Sequence, residues 1–598
     1  MRRLSLSPAV QPIALFLLLV PLMLFIYAPS FDGGFYLDSK PYILQSHYFQ
    51  GGINLSEAME RVFERGYHPA SRRIIPNITM AFQTYSNGPI ASRLRAFNVI
   101  VHTANISLLY IFLSLLTGLL LPNARRSVIT RCSMAAALMW GFNPFQVETV
   151  AYIVQRSVLM VTFFYLLGAI IFLIIVRDFK PGKLSLLWLP LALSLSAAAL
   201  SKENSVQFTA TCLLLYLYLV PIHPDAKARK EIIWPLLGTG LLIVVIMFTA
   251  RGLESSPLSA YSILPFNPTE RLLTESRVVL DQLSLFIFPW PGRLSLTPYY
   301  DLSRSLFMPL TTLLSLVFIV ATVAGIFLSR KKPILLGAAL IWFFSNHLIE
   351  STIIPLEIAF PHRTYLPSAL IFLIPLVAAG SAISQKKSDS KYLTYLGTGA
   401  IFVTVALMAF GTYQHNRTWG NEREFWLHNI NVSPGSTIPY ISLSGYLLEN
   451  RRSESSLRVI EKGLLSGDFD NDRRDRKGNL LVNKGIALSN LGQLTDGIYW
   501  VKEALKLQPS NIQYQYNLAA LMMQSYRWDE AGKILENIIQ SDSTYPDANM
   551  QLALIYENRG LYKKALTLIQ RELSLFPENK TAQSISRRIL LKSEINKQ

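Results

Sequence analysis

Ten stretches of this chain contain no Asp, Glu, Lys or Arg: 4–31, 96–124, 132–147, 157–176, 204–224, 232–250, 305–329, 333–349, 364–385 and 392–416. Most reach the roughly 20 residues that a helix needs to cross a bilayer. After 417 the pattern stops and the chain becomes polar. Apolar residues make up 51% and charged residues 16%, against about 25% charged in soluble proteins. This excludes disorder for most of the length, and a conventional cytosolic enzyme with it. By length alone 598 residues would make roughly four soluble domains. The charge pattern predicts instead an all-α polytopic membrane domain over 1–416 and a soluble helical domain over 417–598.

A further apolar segment, 184–201, raises the expected number of spans to about eleven. Alternate loops then differ in charge. Arg125, Arg126 and Arg131 lie in one loop, Arg177, Lys180 and Lys183 in a second, and Lys227, Arg229 and Lys230 in a third. Arg330, Lys331 and Lys332 fall in a fourth, and Lys386, Lys387 and Lys391 in a fifth, while Arg2 and Arg3 precede the first span. The positive-inside rule puts this set in the cytoplasm. An odd number of spans then places the C-terminal domain outside, together with long loops at about 30–92 and 251–304. The net charge of +18 reads as topology, not as a nucleic-acid surface. Residues 1–30 lack a small-x-small cleavage site, so a retained first helix is expected. Within the second long loop, 269–288 has apolar residues at helical spacing; it lies in the interface plane or packs on the membrane domain. Cys132 and Cys212 form no CxxC or disulfide pattern.

The tail repeats with a period of 34. Gly485, Ala519 and Ala553 recur in phase, as do Gly497, Ala531 and Ala565; Leu494, Trp528 and Tyr562; and Pro509, Ser543 and Pro577. Small residues recur where two helices approach, large ones where a gap is filled, and proline where the second helix ends. This resembles the tetratricopeptide repeat, a helix-turn-helix unit that stacks into an α-solenoid. Units are expected at about 478–511, 512–545 and 546–579, with a degenerate one at about 437–470. An insertion at 468–478 and a capping helix at 581–593 complete the array. Such arrays bind extended or helical peptides, or serve as scaffolds.

The unusual polar residues fall on the external side of this topology. Asp38 follows the first span; Arg72 and Arg73 close the first long loop; Lys202 and Glu203 sit in "LSKENS"; Glu350, Glu357, His362, Arg363 and Tyr365 follow the ninth span. Charges at membrane depth are kept mainly where they line a cavity or do chemistry. Singly, each has an ordinary explanation as a solvated loop, a helix-end charge or a packed core residue. Their convergence on one side outweighs that. Glu148, Tyr152 and Arg156 are spaced i, i+4, i+8 and would share a face if the segment is one helix.

The segments "GGFYLDSKPYI", "SRRIIPNITMAFQTYSNGP", "FNVIVHTANISLLYIF", "NPFQVETVAYIVQRSVLM", "LSKENS" and "PHRTYLPS", followed by the repeats, resemble the membrane O-mannosyltransferases that carry tetratricopeptide repeats and their bacterial relatives, within the GT-C superfamily. The resemblance spans nearly the whole chain. It implies a GT-C-like membrane domain that moves a sugar, mannose or another hexose, from a polyprenyl phosphate to Ser or Thr of an exported protein at the external face. The family's first loop carries two consecutive acidic residues. Here Asp38 fills the first position and Ser39 the second, which bears against a paired acid/base or bidentate metal role. The "HRTYLP" pattern points to a bacterial inner membrane with periplasmic repeats; in a eukaryote the repeats would be in the ER lumen.

That chemistry requires a general base for the acceptor hydroxyl, for which Asp38 is the candidate. The leaving phosphate needs fixed cations, and Arg363 and Arg156, then Lys202, are the candidates. Substrate contacts are assigned to Arg73, His102, Glu148, Glu203, His362 and Tyr365; for His102, near Asn98, interhelical packing is an equal alternative. A divalent metal has no motif of its own, though Glu350, Glu357 and Asp38 could hold one if brought together. No cofactor is otherwise expected. The partners are the bilayer, the lipid-linked sugar, and an acceptor protein held by the repeats; no nucleic acid is implied. The competing readings are a lipid-linked oligosaccharide ligase or polymerase, and a non-catalytic membrane-anchored repeat scaffold for envelope complexes.

Overall fold

A computed structural model describes residues 10–44, 47–49, 51–63, 72–180, 185–218, 226–251, 261–262, 264–328, 334–385, 390–466, 473–577 and 579–595. Of the expected basic loops, Lys183, Arg330–Lys332 and Lys386–Lys387 lie outside these residues, as do residues 468–472 of the expected insertion. All regular structure among the described residues is helical. The chain divides into two compact units, Met1–Ser433 and Pro434–Gln598.

In the first unit, six segments among the described residues are long and apolar enough to cross a bilayer: Gln11–Asp32, Ala91–Leu120, Ile153–Arg177, Lys230–Met247, Pro367–Ser384 and Tyr392–Trp419. The sequence led to about eleven. Part of the difference lies at residues outside the described ones, which adjoin the helices Gln207–Tyr218, Thr311–Leu328 and Ile334–Ser345. Trp188–Ala199, Thr311–Gly325 and Ile334–Ser345 are shorter apolar helices, and Gln207–Tyr218 begins only after a 3-10 turn, Glu203–Val206. Arg126–Gly141 spans 16 residues. At 1.5 Å per residue the described parts of these helices are shorter than a hydrocarbon core about 30 Å thick.

The boundary also differs from the expected 416. Glu422–Val432 belongs to the first unit, because its aromatic residues pack there. Tyr36 stacks on Phe425 at 4.5 Å and meets Trp419 and Trp426 edge-on at 5.5 and 6.1 Å. Ser295 Oγ donates to Asn429 Oδ1 at 2.8 Å, so the same helix also holds the loop around Ser295.

Helix Pro268–Ile287 opens on a capping box between Asn267 and Glu270. Of the two alternatives left by the sequence, it follows the packed one. Thr274, Val278, Val279, Gln282, Leu285 and Phe286 are buried, and Asn143 Nδ2 donates to the Phe286 carbonyl at 2.8 Å.

The second unit is built of helix pairs: Ile438–Glu449 with Ser453–Leu465, Arg474–Asn490 with Leu494–Leu507, Ile512–Gln524 with Trp528–Ser541, and Ala548–Asn558 with Tyr562–Leu575, then Lys580–Ile595. This is tetratricopeptide-repeat architecture, and the period explains its packing. Ala519, Ala531, Ala553 and Ala565 are all fully buried. A Cβ on Gly485 would sit 2.6 Å from the Gly497 carbonyl oxygen, and one on Gly497 equally close to that of Gly485. In the degenerate unit Ser444 and Ser456 take these two places, and Ser456 Oγ donates to the Ser444 carbonyl at 3.0 Å.

The turn inside each pair needs one left-handed residue. Gly492 (φ 84°) and Gly560 (φ 73°) provide it freely, whereas Arg451 (φ 57°) and Tyr526 (φ 60°) do so under strain. Tyr526 is mostly exposed, so Tyr526→Gly should stabilise the array by roughly 0.5–1 kcal/mol. Slower hydrogen exchange across 512–541 would register the gain; no change would mean that the Tyr526 ring contact with Trp528 offsets the strain.

The last helix is fastened by Glu557, which accepts from Arg588 at 2.7 and 2.9 Å and from Lys592 at 2.9 Å. Burial works to raise the Glu557 carboxyl, but the hydrogen bonds from Arg588 and Lys592 leave it lowered. A lowered acid stabilises above its unfolded pKa, and that contribution is lost as pH falls through the folded one. Exchange protection of 580–595 should therefore hold at neutral pH and weaken below about pH 4.5. Glu557→Gln should loosen this helix by about 1 kcal/mol at neutral pH and remove the acid dependence.

Candidate active site

The site is built on the loop after the first apolar segment. Arg95, buried in helix Ala91–Leu120, donates to the carbonyls of Gly33 and Gly34, and through Nε to that of Ala151 at 2.9 Å. Tyr36 Oη donates to the Trp419 carbonyl at 2.7 Å. Leu37 follows with φ 43°, a conformation that a non-glycine residue holds only when its surroundings fix it. The Asp38 N–H donates to Tyr152 Oη at 3.1 Å, and the Val154 N–H donates to Ser39 Oγ at 3.3 Å. Ser39 thus anchors the turn that presents Asp38. Burial first, then the Asp38 charge, hold the Tyr152 phenol well above its usual value, so it stays protonated beside that carboxylate.

The 147–156 segment is not one helix. Val147–Val150 ends at Ala151, Tyr152 is extended, Ile153–Gln155 is a 3-10 turn, and a new helix starts at Arg156. The break is held by side chains: Asn98 Nδ2 donates to the carbonyls of Val150 and Ile153 at 3.2 and 3.4 Å. Glu148, Tyr152 and Arg156 therefore do not share a helix face.

Arg73 acts on Tyr152, and Lys202, Arg363 and Arg73 all act on His362, which makes these expected residues neighbours. Arg73 immediately precedes helix Ile74–Thr84, donates to Ser157 Oγ at 3.2 Å and pairs with Glu203 at 3.3 Å. Lys202 pairs with Glu350 at 3.0 Å, with both side chains 8% exposed. His362 and Arg363 lie on the 3-10 turn Pro361–Thr364. Arg363 Nη1 donates to the Glu357 carbonyl at 2.7 Å and that of Ile358 at 3.2 Å, and its guanidinium lies over Phe360. Burial, and then the charges of Lys202, Arg363 and Arg73, push the His362 imidazole well below its usual value, so it is neutral. Burial likewise lowers Lys202, against the pull of Glu350.

Four expected residues are engaged in the framework instead. Arg156 donates to Asn98 Oδ1, Thr79 Oγ1 and the Leu94 carbonyl at 3.0–3.1 Å and lies over Phe97. His102 bridges Tyr365 Oη at 2.5 Å and the Gly141 carbonyl at 2.9 Å, which joins it to Tyr365 inside the bundle. Glu148 meets His415 at 2.8 Å. Among the described residues no group of three or more His, Cys, Asp or Glu side chains is placed to hold a metal, and Glu350 is engaged by Lys202.

Two residues of the cluster escaped sequence reasoning. Arg271 and Glu275 pair at 2.8 Å, fully buried on one turn of helix Pro268–Ile287. Arg271 also donates to the carbonyls of Thr352, Glu350 and Glu357 at 2.7–3.1 Å. It fixes the loop that leads to His362. Their i, i+4 spacing in an otherwise uncharged helix face was the available signal.

Several buried polar atoms here have no hydrogen-bond partner among the described residues: His362 Nδ1, Glu350 Oε2 and Asn204 Oδ1. Arg363 is engaged through Nη1, which leaves Nε and Nη2 open. Buried polar groups are as a rule bonded; unbonded ones also occur elsewhere in this chain, for example on Gln146, Tyr165 and Asn549. Unused donors and acceptors side by side suit a ligand with an anionic group and several hydroxyls.

No family model matches the chain, and no curated protein matches it. Among solved structures it is similar to MamA 41-end from Desulfovibrio magneticus RS-1, at 21% identity over 26% of this chain and 85% of that one, with a TM-score of 0.23. It is also similar to YrrB, a TPR protein with an unusual peptide-binding site, at 14% identity over 34% and 98% of the two chains, TM-score 0.23. A third is a thermophilic TPR protein in Thermus thermophilus, at 16% identity over 31% and 95%, TM-score 0.25. Scores this low carry no argument, and the repeat architecture of 434–598 rests on its own helix pairs and buried alanines.

Proposed function

We propose that the chain is a multi-pass membrane glycosyltransferase with a GT-C-like membrane domain of about eleven spans, taking a hexose such as mannose from a polyprenyl phosphate to Ser or Thr of an exported protein. The observation that carries this reading is the run of neighbours from exposed Asp38 through Tyr152 and Arg73 to the buried Lys202, Glu350, His362 and Arg363, with open donors on Arg363 and orphaned acceptors on His362 and Glu350. These residues follow or precede apolar helices at the ends opposite the basic loops, which favours the external face.

In this reading the acceptor oxygen attacks the anomeric carbon, and the bond from that carbon to the phosphate oxygen breaks. Asp38 takes the hydroxyl proton. The phosphate keeps the electron pair and gains one negative charge, which Arg363 Nε and Nη2 and Lys202 stabilise. Tyr152 holds the Asp38 turn, and Arg271 holds the loop that carries His362 and Arg363. The repeats present the acceptor. The site would lie in the periplasm of a bacterium, or in the ER lumen of a eukaryote.

The test is transfer of label from radiolabelled polyprenyl-phosphate mannose to exported proteins by the purified full chain in detergent. Label on protein supports the proposal. Label on glycan alone would move the assignment to a lipid-linked oligosaccharide ligase. No transfer to any acceptor would leave a membrane-anchored scaffold, which the repeat array by itself would also serve.

A further inference from the structure

The period of 34 that sets the small residues of the array also sets two rows of carboxamides on the first helices of the pairs. Asn483, Asn517 and Gln551 form one row, and Asn490, Gln524 and Asn558 the other. Within each helix the two rows are two turns apart, so they lie on one face. Ile486, Ala520 and Leu554 fall between them. The first row and the apolar row are half-buried, and the second row is exposed. No charge stands in any of the three rows. The array meets water differently on its second helices, where the exposed positions include Lys502, Glu536 and Lys563. Asn ranks below Lys and Glu as a helix former, so solvation alone would favour charged residues on the first helices too.

A carboxamide has another use. It offers donors and an acceptor without net charge, which is what a peptide group offers in return. Side-chain bonds also join the faces of neighbouring units. Asn483 Nδ2 donates to the Ile441 carbonyl at 3.1 Å and to Ser444 Oγ at 2.8 Å, and Ser489 Oγ donates to Gln524 Oε1 at 2.8 Å. These bonds leave the Asn483 oxygen and the Gln524 nitrogen for a ligand. Packed helices lie about 8–10 Å apart. An extended chain covers that distance in about three residues at roughly 3.3 Å each, so its peptide groups meet successive units in register. The peptide groups of a helical ligand are already bonded to one another.

We propose that this face binds an extended, unfolded polypeptide segment through its backbone, with Asn517 and Gln551 as the central contacts and little regard for sequence. The half-buried apolar row gives side chains of any kind a place to lie. Calling that segment the sugar acceptor rests on the function proposed above; its capture does not.

Fluorescence anisotropy of labelled peptides with the full chain in nanodiscs tests this. The probe is an unstructured Ser/Thr/Ala/Gly peptide of about 12 residues, enough to span four units at about three residues each. A shuffled peptide of the same composition should bind within about twofold of it. The same sequence with N-methyl groups on alternate peptide nitrogens loses donors and should bind at least about tenfold more weakly. Asn517→Ala and Gln551→Ala together should weaken the parent peptide by about 10- to 30-fold; the N-methyl comparison, made on wild type, serves if that variant does not fold. Binding of the parent but not the shuffled peptide overturns backbone recognition, and so does an N-methylated peptide that binds as well as the parent. Unchanged affinity in a folded double variant removes the two carboxamides from the contact. Tighter binding of a stapled helix, self-association of the chain through this face, or no binding of any peptide overturns the proposal as a whole. Peptide binding in a chain that transfers no sugar keeps this inference and defeats the transferase reading alone.

Discussion

Asp38→Asn should lower transfer from polyprenyl-phosphate mannose by a factor of about 10² to 10⁴, the range for loss of a general base. The amide is isosteric and keeps the Asp38 N–H bond to Tyr152, since that bond uses the backbone. Folding and donor binding should therefore survive. Thermal stability within a degree or two of wild type, with intact lipid binding and lost turnover, is the expected combination. A variant that turns over normally would remove Asp38 from the chemistry. One that unfolds would show the carboxylate to be structural. Tyr152→Phe separates the two roles further: it removes the acceptor for the Asp38 N–H and should reduce turnover less than Asp38→Asn.

Gly33→Ala should be the most damaging single methyl in the first unit. The backbone of Gly33 is extended, at φ −73° and ψ 153°, so alanine is conformationally acceptable there. The obstacle is space: its Cβ would overlap the Trp419 carbonyl oxygen. That oxygen also accepts from Tyr36, so it cannot yield without releasing the aromatic cluster of Tyr36, Trp419, Phe425 and Trp426. The expected cost is about 3 kcal/mol or more, seen as a Tm several degrees lower in detergent and as loss of transfer. Gly34→Ala is the control. Its Cβ would meet only Glu422 Oε2, at 3.7 Å, an ordinary contact, and should leave Tm unchanged. Equal Tm values for the two variants would contradict the steric account.

The repeat array was readable in the sequence because a period of 34 puts the same small residue at the same close approach in each unit, and Ala519, Ala531, Ala553 and Ala565 are buried where the period places them. The small pair of the degenerate unit was harder to see. Ser444 and Ser456 keep the spacing of 12 found between Gly485 and Gly497, but they precede that pair by 41 residues. The insertion moves them out of phase, and serine is a weaker mark than alanine or glycine. Charge-free stretches located the apolar helices of the first unit but not their ends. Those ends are set by side chains such as Asn98 and Arg95, which take backbone carbonyls from a distant segment.

In the cluster, Arg73, Lys202, His362 and Arg363 could be grouped from the ordering of loops, because charges at the ends of apolar helices have few places to go. Glu148, His102, Tyr365 and Arg156 satisfied the same criterion, yet they have other partners. Which buried polar group meets which depends on helix rotation, and the spacing of residues does not encode it. Arg271 and Glu275 were hidden for the opposite reason. They sit on the buried face of a helix whose periodicity was the more visible feature.

The bond from Tyr36 to the Trp419 carbonyl joins residues 383 positions apart. During synthesis, at about 5–20 residues per second, the loop that bears Asp38 is complete roughly 20–80 s before its fastening exists. For that interval no truncated product can present the carboxylate in its final posture, whatever cations have already assembled nearby. If the chain transfers sugar as proposed, transfer is thereby tied to arrival of the segment that leads directly into the repeats, and a chain released early should be inert.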